Sequence, residues 1–169
     1  MIKRNKGFTL IELLIVIAIL VILAVIVVLA INPLEMLRKS RDSQRLSDLT
    51  TVRTAINLWS ADQERANSDY GTAGTVYASN DAGSTQAVDG TGWLPINFTD
   101  MTAGQGSPIS ALPRDPSHPA SAYRYGTNGS AGWELDCPIE SSSNASKASN
   151  DGGNNASRYE VGTDLTILP

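Results

Sequence analysis

The sequence predicts an α+β protein in which one long N-terminal helix packs on a small antiparallel β-sheet. Residues Leu13–Ile31 are 19 consecutive Ala, Val, Ile or Leu, enough for an apolar helix. An apolar stripe at helical spacing follows between Leu49 and Trp59, and short runs of alternating polarity appear only after Ala122. The chain of 169 residues has room for one ordinary domain behind this helix.

Composition and charge divide the chain into four segments. Thirteen of the 14 Gly and seven of the 8 Pro lie after Arg65, which predicts that the C-terminal part is rich in loops. The segments are a basic leader (residues 1–7), a transmembrane helix (residues 8–31), an amphipathic stem helix (residues 32–66) and a loop-rich β head domain (residues 67–169).

The apolar segment fits a membrane anchor better than a removable signal, whose apolar core is about 7–15 residues long. As a helix, Phe8–Ile31 is about 36 Å long and spans a bilayer with some tilt. A plain anchor does not explain Glu12, because a carboxylate inside the membrane costs about 2–3 kcal/mol. Either Glu12 lies at the level of the lipid headgroups, or it has a function and a cationic partner.

The residues around Glu12 favour a function. The sequence Lys3-Arg4-Asn5-Lys6-Gly7-Phe8-Thr9-Leu10-Ile11-Glu12 resembles the leader and cleavage site of type IV pilins and of the pseudopilins of type II secretion. The resemblance implies a pilin-like fold, cleavage by prepilin peptidase after Gly7 and methylation of the new N-terminus at Phe8. It also implies that Glu12 and the Phe8 amine set the register of packed helices during assembly.

The function that the resemblance implies is that of a structural subunit of a helical filament, not an enzyme. The expected partners are other copies of the chain in a homopolymer, prepilin peptidase, the membrane, the filament assembly platform and minor pilins. Two alternatives to a secretion pseudopilin remain open: a type IV pilus pilin, and a membrane-anchored binding module that does not polymerise. The chain is expected in the inner membrane, with a cytoplasmic N-terminus and the head outside the cytoplasm.

The helix is expected to change direction after its apolar part. Pro33 removes a backbone donor and clashes with the carbonyl of Leu29, so we expect a kink or a short melted stretch there; a simple helix end is the alternative. Residues 34–66 contain no Gly or Pro, which favours continuation of the helix beyond Pro33. Their first half is charged, with i,i+4 pairs such as Arg38–Asp42, and is predicted to form a solvated or subunit-facing surface.

The head is predicted to contain a three-stranded meander after an irregular loop at residues 67–92. Its strands are residues 123–125, a one-sided strand at 133–139, and a last strand at 159–161 and 165–168. In the second strand Cys137 is expected to face inward as a buried apolar residue, and Pro138 to mark an edge strand or a bulge. A single cysteine excludes an intrachain disulfide, which favours a pseudopilin over a disulfide-bearing pilin.

Catalytic and metal-binding patterns are largely missing from the sequence. His118 is the only histidine, which excludes a site built from several histidines, and catalytic residues are not predicted. Some pseudopilins hold calcium in the loop before the last strand, and Asp151 is the candidate ligand here. Otherwise no cofactor is expected. The head, residues 67–169, has four basic and eleven acidic residues, so it repels phosphate backbones and is not expected to bind nucleic acid.

Overall fold

The structure, a computed structural model, describes residues 7–102 and 106–169. The chain forms two compact units, Met1–Leu37 and Arg38–Pro169. The basic residues of the predicted leader, Lys3, Arg4 and Lys6, lie outside the described residues. The prediction of an α+β fold, with a long N-terminal helical region packed on a small antiparallel sheet, is confirmed.

Two helices make up this helical region. Helix α1 spans Leu10–Ile31 and helix α2 spans Pro33–Asp62. Asn32 lies between them in the left-handed conformation, with φ of 46° and ψ of 71°, which ends α1. The Asn32 carbonyl accepts a hydrogen bond from Glu35 N at 3.1 Å, so the same residue begins α2. Pro33 is the first residue of α2. A backbone N–H at this position would have no acceptor within the helix, so its absence in proline costs no hydrogen bond.

The sheet has four antiparallel strands in the order β1-β2-β3-β4. They are β1 (Tyr77–Ala78), β2 (Arg124–Thr127), β3 (Trp133–Pro138) and β4 (Arg158–Gly162). The predicted three-stranded meander therefore lacked β1, because a strand of two residues has no alternating pattern to reveal it. The irregular loop predicted at residues 67–92 also contains a turn of 3₁₀ helix at Asn67–Tyr70.

The apolar stripe of α2 covers one face of this sheet, and its members are at most 1% exposed. The burial of Ile56 and Trp59 explains why the head needs the helix, since few large apolar residues follow it in the chain. The edges of the Tyr70 and Phe98 rings pack against Trp59, with centroids at 5.1 and 6.5 Å. The other core residues are Leu49, Val52, Ala55, Trp93, Leu94, Ile96, Leu112, Tyr123, Tyr125, Trp133, Leu135, Cys137 and Val161.

The prediction of a one-sided strand at residues 133–139 is wrong. Glu134 and Asp136, expected to face solvent, are fully buried. The cause is the segment after β4: residues 165–168, predicted as strand, instead cross the second face of the sheet, where Glu134 accepts hydrogen bonds from Ile167 N and Leu168 N. Pro138 does not mark an edge strand either. It is the last residue of the interior strand β3, paired with Arg158.

We predict that Ile56→Ala lowers the free energy of unfolding by about 2–5 kcal/mol, because it leaves a cavity under the sheet. Leu58→Ala is the matched control, since Leu58 lies on the same helix with 53% of its surface exposed. The measurement is denaturant unfolding of the full chain in detergent micelles, followed by tryptophan fluorescence. Equal effects of the two substitutions would show that α2 does not cover the sheet.

Candidate functional site

The N-terminus of α1 is closed by a reciprocal hydrogen-bonded cap. Thr9 has extended backbone angles, φ −81° and ψ 151°, and its Oγ1 accepts a hydrogen bond from Glu12 N at 3.3 Å. In return, Glu12 Oε2 accepts hydrogen bonds from Thr9 N at 2.9 Å and from Thr9 Oγ1 at 2.7 Å. The carboxylate therefore lies at the positive end of the helix dipole, where a negative charge is favourable.

The rest of this site is open. Phe8 has 84% of its surface exposed, and no residue of α1 is buried. Among the described residues, Glu12 Oε1 has no hydrogen-bond donor, so one carboxylate oxygen is available to a cation. One helical region in the described part of the chain is long and apolar enough to span a membrane. The first turn of this apolar helix thus carries a carboxylate, and hydrogen bonds from Thr9 hold one of its two oxygens in place.

A second cluster of charged groups lies in the interior of the unit Arg38–Pro169. The Arg45 guanidinium is fully buried and binds Asp115 through two bonds, Nε to Oδ2 at 2.7 Å and Nη2 to Oδ1 at 2.9 Å. Its Nη1 donates to Asp42 Oδ1 at 3.1 Å, and Nη2 also reaches Ser117 and Glu140. Such a bidentate pair fixes the direction as well as the distance of the two groups.

Asp42 connects the same helix to the segment after β3. Its Oδ1 accepts a hydrogen bond from Glu140 N at 3.0 Å and its Oδ2 accepts one from Ser141 N at 2.8 Å. Hydrogen bonds from Arg41 and Arg45 outweigh partial burial and lower the pKa of Glu140 to about 2. Glu140 is therefore ionised at neutral pH, and it joins two arginines of α2.

The charged first half of α2 was predicted as a solvated or subunit-facing surface, and this is wrong for Asp42 and Arg45. A signal was present in the sequence, because these two residues continue the spacing of the apolar stripe towards the N-terminus of the helix. The stripe was identified from apolar residues alone, so its charged members were missed. Likewise, Thr9 and Glu12 have the spacing of a helix-capping pair.

The remaining predicted residues lie in the head. Cys137 is buried as predicted, and burial raises the pKa of its thiol to about 12, so it is not a reactive group. Asp151 joins its loop to β4, because its oxygens accept hydrogen bonds from Gly153 N at 2.9 Å and Glu160 N at 2.8 Å. In the described part of the chain, no group of three or more His, Cys, Asp or Glu residues is placed to hold a metal ion.

A known family model matches the N-terminal part of the chain. Residues 2–31 match the prokaryotic N-terminal methylation motif, which is characteristic of type IV pilins and pseudopilins. The match includes Phe8, Thr9 and Glu12 and ends at the last residue of α1. No curated protein and no solved structure matches the chain.

We predict that Arg45→Met lowers the free energy of unfolding by about 3–5 kcal/mol, because it leaves buried carboxylates without their cation. Arg53→Met is the control: Arg53 is an exposed arginine of the same helix. Adding Asp115→Asn to Arg45→Met should recover part of the loss, since it removes one of the uncompensated charges. Denaturant unfolding of the full chain in micelles measures all three. If Arg45→Met and Arg53→Met cost the same, the cluster does not hold the fold.

Proposed function

We propose that this chain, which carries the methylation motif of type IV pilins and pseudopilins at residues 2–31, is a structural subunit of a helical filament assembled from the inner membrane. In this proposal prepilin peptidase cuts between Gly7 and Phe8, and the new amine of Phe8 is methylated. The observation that carries the proposal is the combination of this motif with α1, an apolar helix that is exposed on every side and begins with a fixed carboxylate.

An apolar helix of this kind can move from lipid into a filament core at little hydrophobic cost. Lipid tails are as apolar as the side chains of Leu10–Ile31, so transfer between the two surroundings changes the burial of apolar surface very little. Helix association in a membrane instead depends on close packing and on polar contacts. The one carboxylate in α1, that of Glu12, can then decide how neighbouring helices align.

The geometry at Thr9 prepares Glu12 for this role. Oε2 is already held by Thr9, so the direction of the carboxylate is fixed before any neighbour arrives. The free Oε1 can accept a hydrogen bond from the Phe8 amine of an adjacent subunit that is offset by about one helical turn, near 5.4 Å. An ion pair in a surrounding of low dielectric favours this offset, because either charge alone is costly there.

The partners in the proposal are other copies of the chain, prepilin peptidase, the membrane-bound assembly platform and minor pilins. The N-terminus is cytoplasmic, and the head lies outside the cytoplasm. The acidic head has no role in binding nucleic acid.

A secretion pseudopilus is favoured over a surface pilus. The chain has a single cysteine, which lies buried in the core, so the head is held together without a disulfide. The stretch Leu112-Pro113-Arg114-Asp115-Pro116, followed by Tyr123-Arg124-Tyr125, resembles the stretch that enters the sheet of major pseudopilins, and its Asp115 binds the buried Arg45. The loop-rich segment 67–92 is longer than expected for a compact pseudopilin and keeps the surface pilus as the second candidate.

The test of processing is mass spectrometry of the mature N-terminus, on protein purified from cells with an active prepilin peptidase. The proposal expects residues 1–7 to be absent and Phe8 to carry a methylated amine. An intact leader in this material would overturn the proposal. Immunogold imaging with an antibody to the head then separates the two filaments, since a pilus is labelled at the cell surface and a pseudopilus in the periplasm.

We predict that Glu12→Ala leaves the amount of membrane-bound protein unchanged or higher, because it removes a charge from an apolar segment. Filament yield should nevertheless fall strongly, because the Phe8 amine loses its partner. Glu12→Asp keeps the charge but shortens the side chain, so a partial loss is expected. The measurement is the ratio of sheared filaments to membrane-bound protein.

The control for this prediction is Glu64→Ala, which removes an exposed carboxylate that lies after the end of α2 and outside the motif. It should assemble as the wild type does. Normal filament yield from Glu12→Ala would remove Glu12 from the mechanism, whereas cleavage at Phe8 without filaments in the wild type would favour an anchored module that does not polymerise.

A further inference from the structure

The face of the sheet that points away from α2 is buried although it is formed largely by charged residues. We call it the outer face. Alternation along the strands places Arg124, Glu134, Asp136, Arg158 and Glu160 on it. Glu134 and Asp136 are 0% exposed and Glu160 is 1% exposed. Burial of three carboxyl groups on one face of a small sheet requires a specific arrangement of partners, because an isolated buried charge is very costly.

Asp136 has such partners and the two glutamates do not. Asp136 accepts hydrogen bonds from Arg124 Nε at 2.9 Å and from Arg158 Nη2 at 2.7 Å, so both arginines of the outer face are bound to it. Among the described residues, Glu134 Oε1 and Glu160 Oε1 are buried without a donor. Their side chains are diagonal neighbours on adjacent strands, because Glu160 pairs with Asp136 and Glu134 is two residues before Asp136 on the same face. A contact between two carboxyl groups is favourable only when one of them carries a proton.

The C-terminal residues 166–169, which we call the strap, lie over this pair. Glu134 Oε2 accepts hydrogen bonds from Ile167 N at 2.8 Å and Leu168 N at 2.9 Å. Leu168 is 1% exposed and packs on Gly126, where a Cβ atom would lie only 2.9 Å from Leu168 Cδ2. The strap thus shields Glu134 from water, and Glu134 in turn holds the strap.

Glu160 is fixed from the opposite side. Its Oε2 accepts a hydrogen bond from Asn155 N at 3.1 Å, and a Cβ atom on Gly153 would collide with this oxygen. Neither carboxyl group can therefore turn away from the other while the strap and this loop stay in place. Movement of the chain around Glu134 is therefore the way in which an ionised Glu134 reaches water.

Among the described residues, no arginine or lysine donates a hydrogen bond to either glutamate. Arg124 and Arg158 are bound to Asp136, and Asp151 accepts two backbone hydrogen bonds. Arg53 of α2 and Lys147 are exposed and face the same cavity as Glu160. Arg124 Nη2 and Asn155 Nδ2 also donate hydrogen bonds to the Pro169 carbonyl at 2.9 and 3.1 Å, so the strap has two contacts besides those with Glu134.

We propose that Glu134 carries a proton, which it can donate to Glu160, and acts as a pH-sensitive latch that holds the strap on the sheet while Glu134 is protonated and releases the strap when Glu134 ionises. The release exposes Leu168 and Glu134 to solvent. The latch lies within the unit Arg38–Pro169 and is independent of the filament proposal.

The direction of the pH dependence follows from the titration of Glu134. Burial raises the pKa of Glu134 to about 7 and the contact with Glu160 adds to this, against the lowering effect of the strap N–H groups. The ordinary value is 4.5, so the closed latch binds a proton that the open one does not. The contribution of the Glu134 proton to the closed latch is fully present below pH 4.5 and is lost as the pH rises through about 7. Between these values the ratio of closed to open latch falls about tenfold per pH unit.

Hydrogen exchange of the full chain in detergent micelles tests the latch. The readout is the protection of the peptide that contains Ile167 and Leu168, corrected at each pH for exchange of the unfolded peptide. In the wild type, protection should fall by at least about tenfold between pH 5.5 and 8. In Glu134→Gln protection should stay high at both pH values, because the amide permanently replaces the protonated carboxyl group and still accepts the strap N–H groups. Glu64→Gln, at an exposed site on another part of the chain, should behave as the wild type.

Three results would overturn the latch. The first is protection in the wild type that does not depend on pH, and the second is an equal fall in Glu134→Gln. The third is recovery of protection at pH 8 on adding calcium chloride in place of a chelator, because Glu134 would then bind a cation instead of carrying a proton. If Glu134→Gln does not fold, Glu160→Gln and the carbonyl stretch of a protonated carboxylic acid in the wild type at pH 5.5 decide the question. Absence of that stretch excludes the proton on Glu134.

Discussion

The buried guanidinium of Arg45 is the interaction on which the unit Arg38–Pro169 depends most. It reaches from α2 to Asp115, in the stretch before β2, and to Glu140, just after β3, so one side chain joins three parts of the chain. Burying these charges costs several kcal/mol for each ion, and the pairing recovers this only in one geometry. The cluster therefore specifies one position of α2 along the sheet. An aliphatic stripe alone tolerates a shift by one turn much better than a bidentate ion pair does.

The two faces of the sheet are buried by different kinds of side chain. On the inner face α2 buries large apolar side chains such as Trp59. On the outer face, the loop that contains Asp151 and the segment after β4 cover carboxylates and arginines that are bound to one another. The chain has few large apolar residues after Arg65. It therefore buries the inner face of the sheet with apolar side chains and the outer face with charged side chains that are bound to one another. This arrangement makes the head sensitive to protonation, which an apolar core is not.

Helix α1 is not stabilised by burial against the rest of the chain, since none of its residues is buried. Its apolar surface suits contact with lipid and, in the proposed filament, with neighbouring helices. The cap formed by Thr9 and Glu12 holds one carboxylate oxygen within the chain, and the other accepts no hydrogen bond from the described residues. Processing at Phe8 would place an amine close to that second oxygen. A chemical change at one residue would then give an otherwise uniform apolar helix a defined register.

The sequence by itself determined the features that depend on neighbouring residues: the apolar helix, the methylation motif, the apolar stripe from Leu49 to Trp59 and the inward position of Cys137. Helical and strand periodicity are local, so they can be read from the chain. The tertiary structure alone decided the features that depend on residues far apart in sequence. The buried pair of Arg45 with Asp115 spans 70 positions, and the contacts of the strap with Glu134 span more than 30. A charged residue looks solvated in a sequence until its partner is known, because burial of a charge depends on the geometry of the pair.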